Sequence, residues 1–249
     1  GLANEYECTE ELISEAVELA KKKDIPMFMH VAELKKETEN LIKEKRMGII
    51  EYIAKLGVIQ QKVTLANCIN VGHREYDLLR RKNVAVVACP ISNVLLAEGV
   101  APAIEMASNG INVALGTDTF GVDVDSSMLA EAKMIALLDK VMFNRYSDIN
   151  LIFKMLTSTG NWAIFNKGGL MQKGFSGDLI TIDLKNDALV PTLQNPKSIM
   201  TSLMYAGSDG SINDTIVNGM ILMKDRKLQT VNEEKLVDKL EKASKRIFG

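Results

Sequence analysis

Met27-Phe28-Met29-His30-Val31-Ala32-Glu33, opened by Pro26, reads as a short buried strand that delivers an imidazole and a carboxylate, three residues apart, near its carboxyl end. Only two histidines occur in the chain, His30 and His73, so this placement is not diluted by others. Before the strand, Glu10–Lys23 carries Leu12, Ile13, Ala16, Val17 and Ala20 at helical spacing, with Thr9 as N-cap and Asp24-Ile25-Pro26 as the break. After it, residues 37–56 read as a helix broken near Met47-Gly48 and stopped at Gly57. Residues 63–69, 84–88 and 111–115 are further apolar strands. Helical stretches at 75–82 and 102–108 alternate with them, and the last strand ends in Gly116-Thr117-Asp118. Strands that alternate with helices imply βαβ units and a parallel sheet. Chemistry in such folds gathers at the carboxyl ends of the strands, where His30, Asn67, Pro90 and Asp118 fall.

The remainder changes character. Residues 127–141 and 151–165 are helical, 178–184 is an alternating strand, and 214–217 and 220–223 flank Asn218-Gly219, a strong hairpin signal. Residues 232–247 close the chain as a charged amphipathic helix. Trp162, Met128, Met134 and Met142 fit helices packed in a core, and the charged run 34–46 fits a solvated helix face.

The 249 residues, 47% hydrophobic and 25% charged, are ordinary for a globular protein with a substantial core. A net charge of -2 without a dense basic block argues against a nucleic-acid footprint. No apolar run reaches the roughly 18 residues that span a bilayer, and the polar, acidic start does not match a signal peptide. Three cysteines without a C-x-x-C argue against a disulfide framework and for a reducing cytoplasm, with Cys68 and Cys89 as buried thiols. There is no phosphate-cradling glycine loop and no G-x-S-x-G, so no nucleotide cofactor is implied. The chain starts with Gly1, which leaves open a fragment, a processed product or a tagged chain.

Three ordered segments resemble the deaminase and chlorohydrolase branch of the amidohydrolase superfamily. They are His30-Val31-Ala32-Glu33, the stretch from Cys89-Pro90-Ile91-Ser92-Asn93 to Glu98-Gly99, and Leu115-Gly116-Thr117-Asp118. Lys173-Gly174-Phe175-Ser176-Gly177-Asp178-Leu179-Ile180 resembles the family's return from barrel to β-domain, and Ile212 to Met220 followed by Lys224-Asp225-Arg226 resembles its closing hairpin. The resemblance implies an α/β fold: the C-terminal part of a (β/α)8 TIM-type barrel over residues 1–172, then flanking β-sandwich strands and a C-terminal helix over 173–249. It implies a divalent metal, zinc or alternatively iron, that activates water against an aminated heterocycle. His30 and Asp118 would be metal ligands, Asp118 also the base that takes the water's proton, and Glu33 the carboxylate that carries a proton to the substrate ring.

The sequence departs from the family at four places. No His-x-His pair occurs; the resemblance starts at the end of the barrel's fourth strand, near Gly1-Leu2, so an absent N-terminal half-barrel or an oligomer is implied. Asn67 stands where a histidine is expected after the sixth strand, and there it can bind water or substrate but cannot titrate near neutral pH. Ala3 replaces a substrate-contacting histidine, and Thr119 follows Asp118 where glycine is common. A metal-dependent hydrolase of non-peptide C–N bonds is therefore weighed against a catalytically degenerate relative, without metal, that binds a ligand or partner, and against a fragment with no function of its own. Taken alone, His30 also reads as a satisfied strand-end histidine, Glu33 as a helix-start carboxylate and Asp118 as a helix cap. His73 reads as a surface or capping residue and Ser92-Asn93 as a structural turn.

Overall fold

Five short strands pair in parallel in chain order: β1 (Leu2–Asn4), β2 (Met27–Val31), β3 (Val63–Asn67), β4 (Val84–Ala88) and β5 (Val113–Leu115). Met27 aligns with Val63, Val63 with Val84, and Val86 with Val113. The computed structural model describes residues 1–119, 126–164, 168–191 and 195–248. The five strands form an open arc with edges at β1 and β5, part of a TIM-type barrel.

Alternation along each strand sorts the two faces. Met29, Val31, Val63, Leu65, Val86 and Val113 point to one face and join the main core with the surrounding helices. Thr64, Ala66, Val87 and Ala114 point to the other, concave face. Helix α1 (Glu10–Lys23) shows how a helix reaches this core. Thr9 Oγ1 accepts from Leu12 N at 3.2 Å, acidic residues sit in the first turn and lysines in the last, and Ile13, Val17 and Ala20 are buried along one stripe. The charged run after β2 forms α2 (Lys35–Lys45), buried only at Thr38 and Leu41. It breaks from α3 (Ile49–Lys55) at Met47-Gly48, as the sequence implies.

Elsewhere the boundaries differ from the sequence expectation. β3 stops at Asn67 rather than 69, because Asn67 and Cys68 both take left-handed backbone angles, φ 71° and 50°. The helix expected at 75–82 is a 3₁₀ turn followed by one turn of α4 (Tyr76–Leu79). Ser92-Asn93 lies inside a helix, α5 (Pro90–Leu95), with proline at its first position. Next come α6 (Ala103–Ser108) and α7 (Met128–Phe143), in which Met128 and Met142 are exposed rather than packed. The helix expected at 151–165 is two, α8 (Ile149–Leu156) and α9 (Ser158–Ala163), split where Thr157 leaves helical angles; Phe165 lies outside the described residues. Ala163 closes the concave face, its carbonyl accepting from Thr64 Oγ1 at 2.5 Å, and Trp162 packs beside it.

The rest of the chain forms a four-stranded antiparallel sheet of β6 (Leu179–Ile182), β7 (Ile212–Val217), β8 (Met220–Lys224) and β9 (Lys227–Leu228). Helix α10 (Pro196–Ala206), absent from the sequence reading, packs on α7. The last helix, α11 (Glu233–Phe248), buries no residue. Among the described residues no helix is long and apolar enough to cross a membrane.

Candidate active site

The concave face opens at the carboxyl ends of the strands into a cavity of about 550 Å³, whose lining includes His30, Cys89 and Asp118 along with Phe28, Thr64 and Ala66. His30 points there from the penultimate position of β2. Two residues on, Ala32 takes φ 51°, a left-handed turn costly for a residue with a Cβ, and this turn carries Glu33 back toward the ring. Glu33 Oε1 lies 3.6 Å from His30 Nδ1. The turn is tied down by Glu5, just after β1, whose Oε1 accepts from Ala32 N at 2.8 Å, and by Asn70 Nδ2, which donates to the carbonyls of Ala32 and Glu33.

Asn67 ends β3 with no exposed surface, so its amide bonds protein groups only. Its Nδ2 is 2.6 Å from Glu33 Oε1 and 3.1 Å from His30 Nδ1, and its Oδ1 accepts from Asn93 Nδ2 at 3.1 Å. Asn93 Nδ2 also donates to Glu98 Oε2 at 2.9 Å. The neighbouring Ser92, fully buried, donates from Oγ to Asp118 Oδ2 at 2.6 Å. The structure thus brings His30, Glu33 and Asn67 into one bonded cluster and sets Asp118, with φ 59°, on the rim of the same cavity. His73 lies elsewhere, on the surface and paired with Glu105. Sequence reading missed Glu5, Asn70 and Glu98. It also gave Ser92 and Asn93 no site contact, although both lie inside the family-like stretch from Cys89 to Gly99.

The site is electrostatically lopsided, with several carboxylates around one imidazole. Attraction from the adjacent Glu33 raises the His30 pKa above its usual 6.5, Asp118 and Glu98 add to it, and burial opposes them. Burial raises Glu98 despite the hydrogen bond from Asn93. It raises Glu5 as well, against the bond from Ala32. Cys89 is pushed up to about 12, by burial first and the nearby Asp118 second, so it is a neutral thiol at neutral pH.

Imidazole and carboxylate are both zinc donors, and His30 and Asp118 share one cavity, so the donor types fit a divalent metal. Zinc takes three or four protein ligands. Among the described residues no group of three or more His, Cys, Asp or Glu is arranged to hold a metal ion.

This geometry agrees with the sequence relationships. The profile of the Amidohydrolase family matches residues 2–222, and the chain belongs to that family. It is 31% identical over 245 residues to a 5-methylthioadenosine/S-adenosylhomocysteine deaminase of Halothermothrix orenii, covering 97% of this chain and 56% of that protein. It is 33% identical over 240 residues to a 5'-deoxyadenosine deaminase of Methanocaldococcus jannaschii, covering 95% of this chain and 56% of that one. A zinc-bound adenosine deaminase from Xanthomonas campestris superposes with a TM-score of 0.90 at 24% identity, over 99% of this chain and 56% of its own, which speaks for the fold alone. The chain spans about half the length of the relatives it matches.

Proposed function

We propose that this chain contributes to a metal-dependent hydrolase that removes the amino group of an aminated heterocycle, in the finer reading the adenine ring of a 5'-modified adenosine. One observation carries the proposal: His30 and Asp118 line a single cavity at the carboxyl ends of parallel strands, and the Glu33 carboxylate lies 3.6 Å from the His30 ring. The deaminase names of its relatives support the reading. Residues 1–172 form the catalytic-type unit and 173–249 the flanking one.

His30 and Asp118 would hold the metal, zinc in the finer reading, and a bound metal lowers the pKa of its water from 15.7 to about 7. Asp118, which lines the cavity, would accept the water's proton, with Ser92 Oγ fixing its Oδ2. Glu33 delivers a proton to the ring nitrogen beside the amine. The water oxygen would bond to the ring carbon, the amine would leave as ammonia with the proton that Asp118 took up, and a carbonyl would take its place. A second reading, a ligand-binding relative without turnover, is favoured by Asn67, which stands at the β3 end without a titratable group.

The test is ammonia release from 5'-deoxyadenosine, S-adenosylhomocysteine and guanine by the zinc-supplemented protein. Glu33→Gln is expected to lower the rate by about 10²–10⁴-fold. Ligand-induced thermal stabilisation with no ammonia from any substrate would reject the hydrolase and leave the binding protein.

A further inference from the structure

We propose that Asn67 is a positioning residue that fixes which nitrogen of His30 carries the proton. The inference rests on the site reading above for its use, but not for its geometry.

The orientation of the Asn67 amide is determined twice. Glu33 Oε1, 2.6 Å away, is an acceptor when ionised, so the amide nitrogen must face it. Asn93 Nδ2, 3.1 Å from the other amide atom, can only donate, so the amide oxygen must face Asn93. Asn93 is itself oriented by the Glu98 carboxylate at 2.9 Å. Polarity therefore runs in one direction, from the Glu98 acceptor through Asn93 into Asn67. Asn67 is buried and its backbone sits at φ 71°, an angle asparagine tolerates better than most residues.

With one N–H given to Glu33, the second N–H of Asn67 points at His30 Nδ1, 3.1 Å away. Nδ1 must then be the lone-pair nitrogen of a neutral ring. A proton there would face another donor at 3.1 Å, while Glu33 at 3.6 Å is too far for a good hydrogen bond. The ring proton is placed on Nε2, which has no hydrogen-bond partner among the described residues. A histidine that ligates a metal through one nitrogen carries its proton on the other and donates it. Asn67 thus holds His30 in the tautomer opposite to the one that metal loading through Nε2 needs, and its removal should make loading easier.

The experiment is ¹⁵N NMR of the ring nitrogens at a pH where the ring is neutral. His73→Gln, an exposed site, removes the only other histidine signal. The expected result is a pyridine-type Nδ1 and a pyrrole-type Nε2. Asn67→Gly, which suits the positive φ and deletes the donor, should move both signals toward the average of two tautomers. Asn67→Asp, which offers an acceptor instead, should make Nδ1 pyrrole-type. A pyrrole-type Nδ1 in the wild type overturns the proposal, and so does a wild-type pattern that persists in folded Asn67→Gly. Zinc titrated into the same samples separates the two readings. A His30 signal that ignores zinc in the wild type and in Asn67→Gly counts against the metal site, while the tautomer assignment stands. Tighter zinc binding by Asn67→Gly than by the wild type supports both.

Discussion

The ends of the parallel strands are tied by buried side chains from distant parts of the chain. Glu5 holds Ala32, Asn93 holds Asn67 and Ser92 holds Asp118, and all three of these tethers are almost fully buried. The antiparallel sheet is tied at its surface. Asn218-Gly219 turns the hairpin with φ of 49° and 78°, and Asp178 and Asp214 accept from exposed backbone N–H groups of Asn218 and Asp225. Water can replace a lost partner in the second sheet but not in the first. A deleted bond therefore leaves an unsatisfied buried group only where the site lies, at about 1–3 kcal/mol each.

The largest effect should come from crowding one of the buried ties. A Cβ on Gly48 would lie 2.3 Å from Glu75 Oε1, the atom that accepts from Ile50 N at 2.6 Å. Gly48→Ala is expected to destabilise by about 1–3 kcal/mol in urea unfolding; a near-zero change would mean that buried carboxylates here yield as easily as exposed ones. A smaller, pH-dependent effect should follow Glu5→Gln, which keeps an acceptor for Ala32. Burial raises the folded pKa of Glu5 above its usual 4.5, so the unfolded chain binds fewer protons than the folded one above that value. Folding stability from this group is therefore full below pH 4.5 and is lost as pH rises through the folded pKa. The stability of Glu5→Gln relative to wild type should rise over that range, and a flat difference would show that Glu5 costs nothing when ionised. The smallest effect should be Gly219→Ala, about 1 kcal/mol for the positive φ alone, since nothing lies within 4 Å of the added Cβ. A larger loss there, or one that alters the ¹⁵N signals of His30, would break the contrast between the two sheets.

The same contrast explains what could be read from the sequence. The strands β2 and β4, the break at Met47-Gly48 and the Asn218-Gly219 hairpin are local patterns, and apolar runs and turn residues report them directly. His30, Glu33, Asn67 and Asp118 were found as strand-end residues that match a family motif. Their supporting groups were not, because Glu5 and Ala32 are 27 residues apart and Asn93 and Asn67 are 26 apart, and no short-range pattern marks such pairs. The early end of β3 was hidden for a related reason. Ile69 continues the apolar pattern, but the left-handed turn at Asn67-Cys68 is set by the bonds Asn67 makes to its neighbours in space. Helix α5 was missed because Pro90 begins it, and a proline followed by Ser92-Asn93 reads equally well as a turn.

The order of the parallel sheet also bears on how the chain assembles. Each strand from β2 to β5 lies beside the one that precedes it in the chain. During synthesis every new strand therefore finds its docking edge already made. The crossovers from β2 to β3 and from β3 to β4 differ in length by less than a factor of two, so their closure entropies differ by less than about 0.6 kcal/mol. Growth can proceed strand by strand without a long wait for a distant partner. The cluster of His30, Glu33, Asn67 and Asn93, which needs β2, β3 and the segment after β4, closes only once Asn93 has emerged.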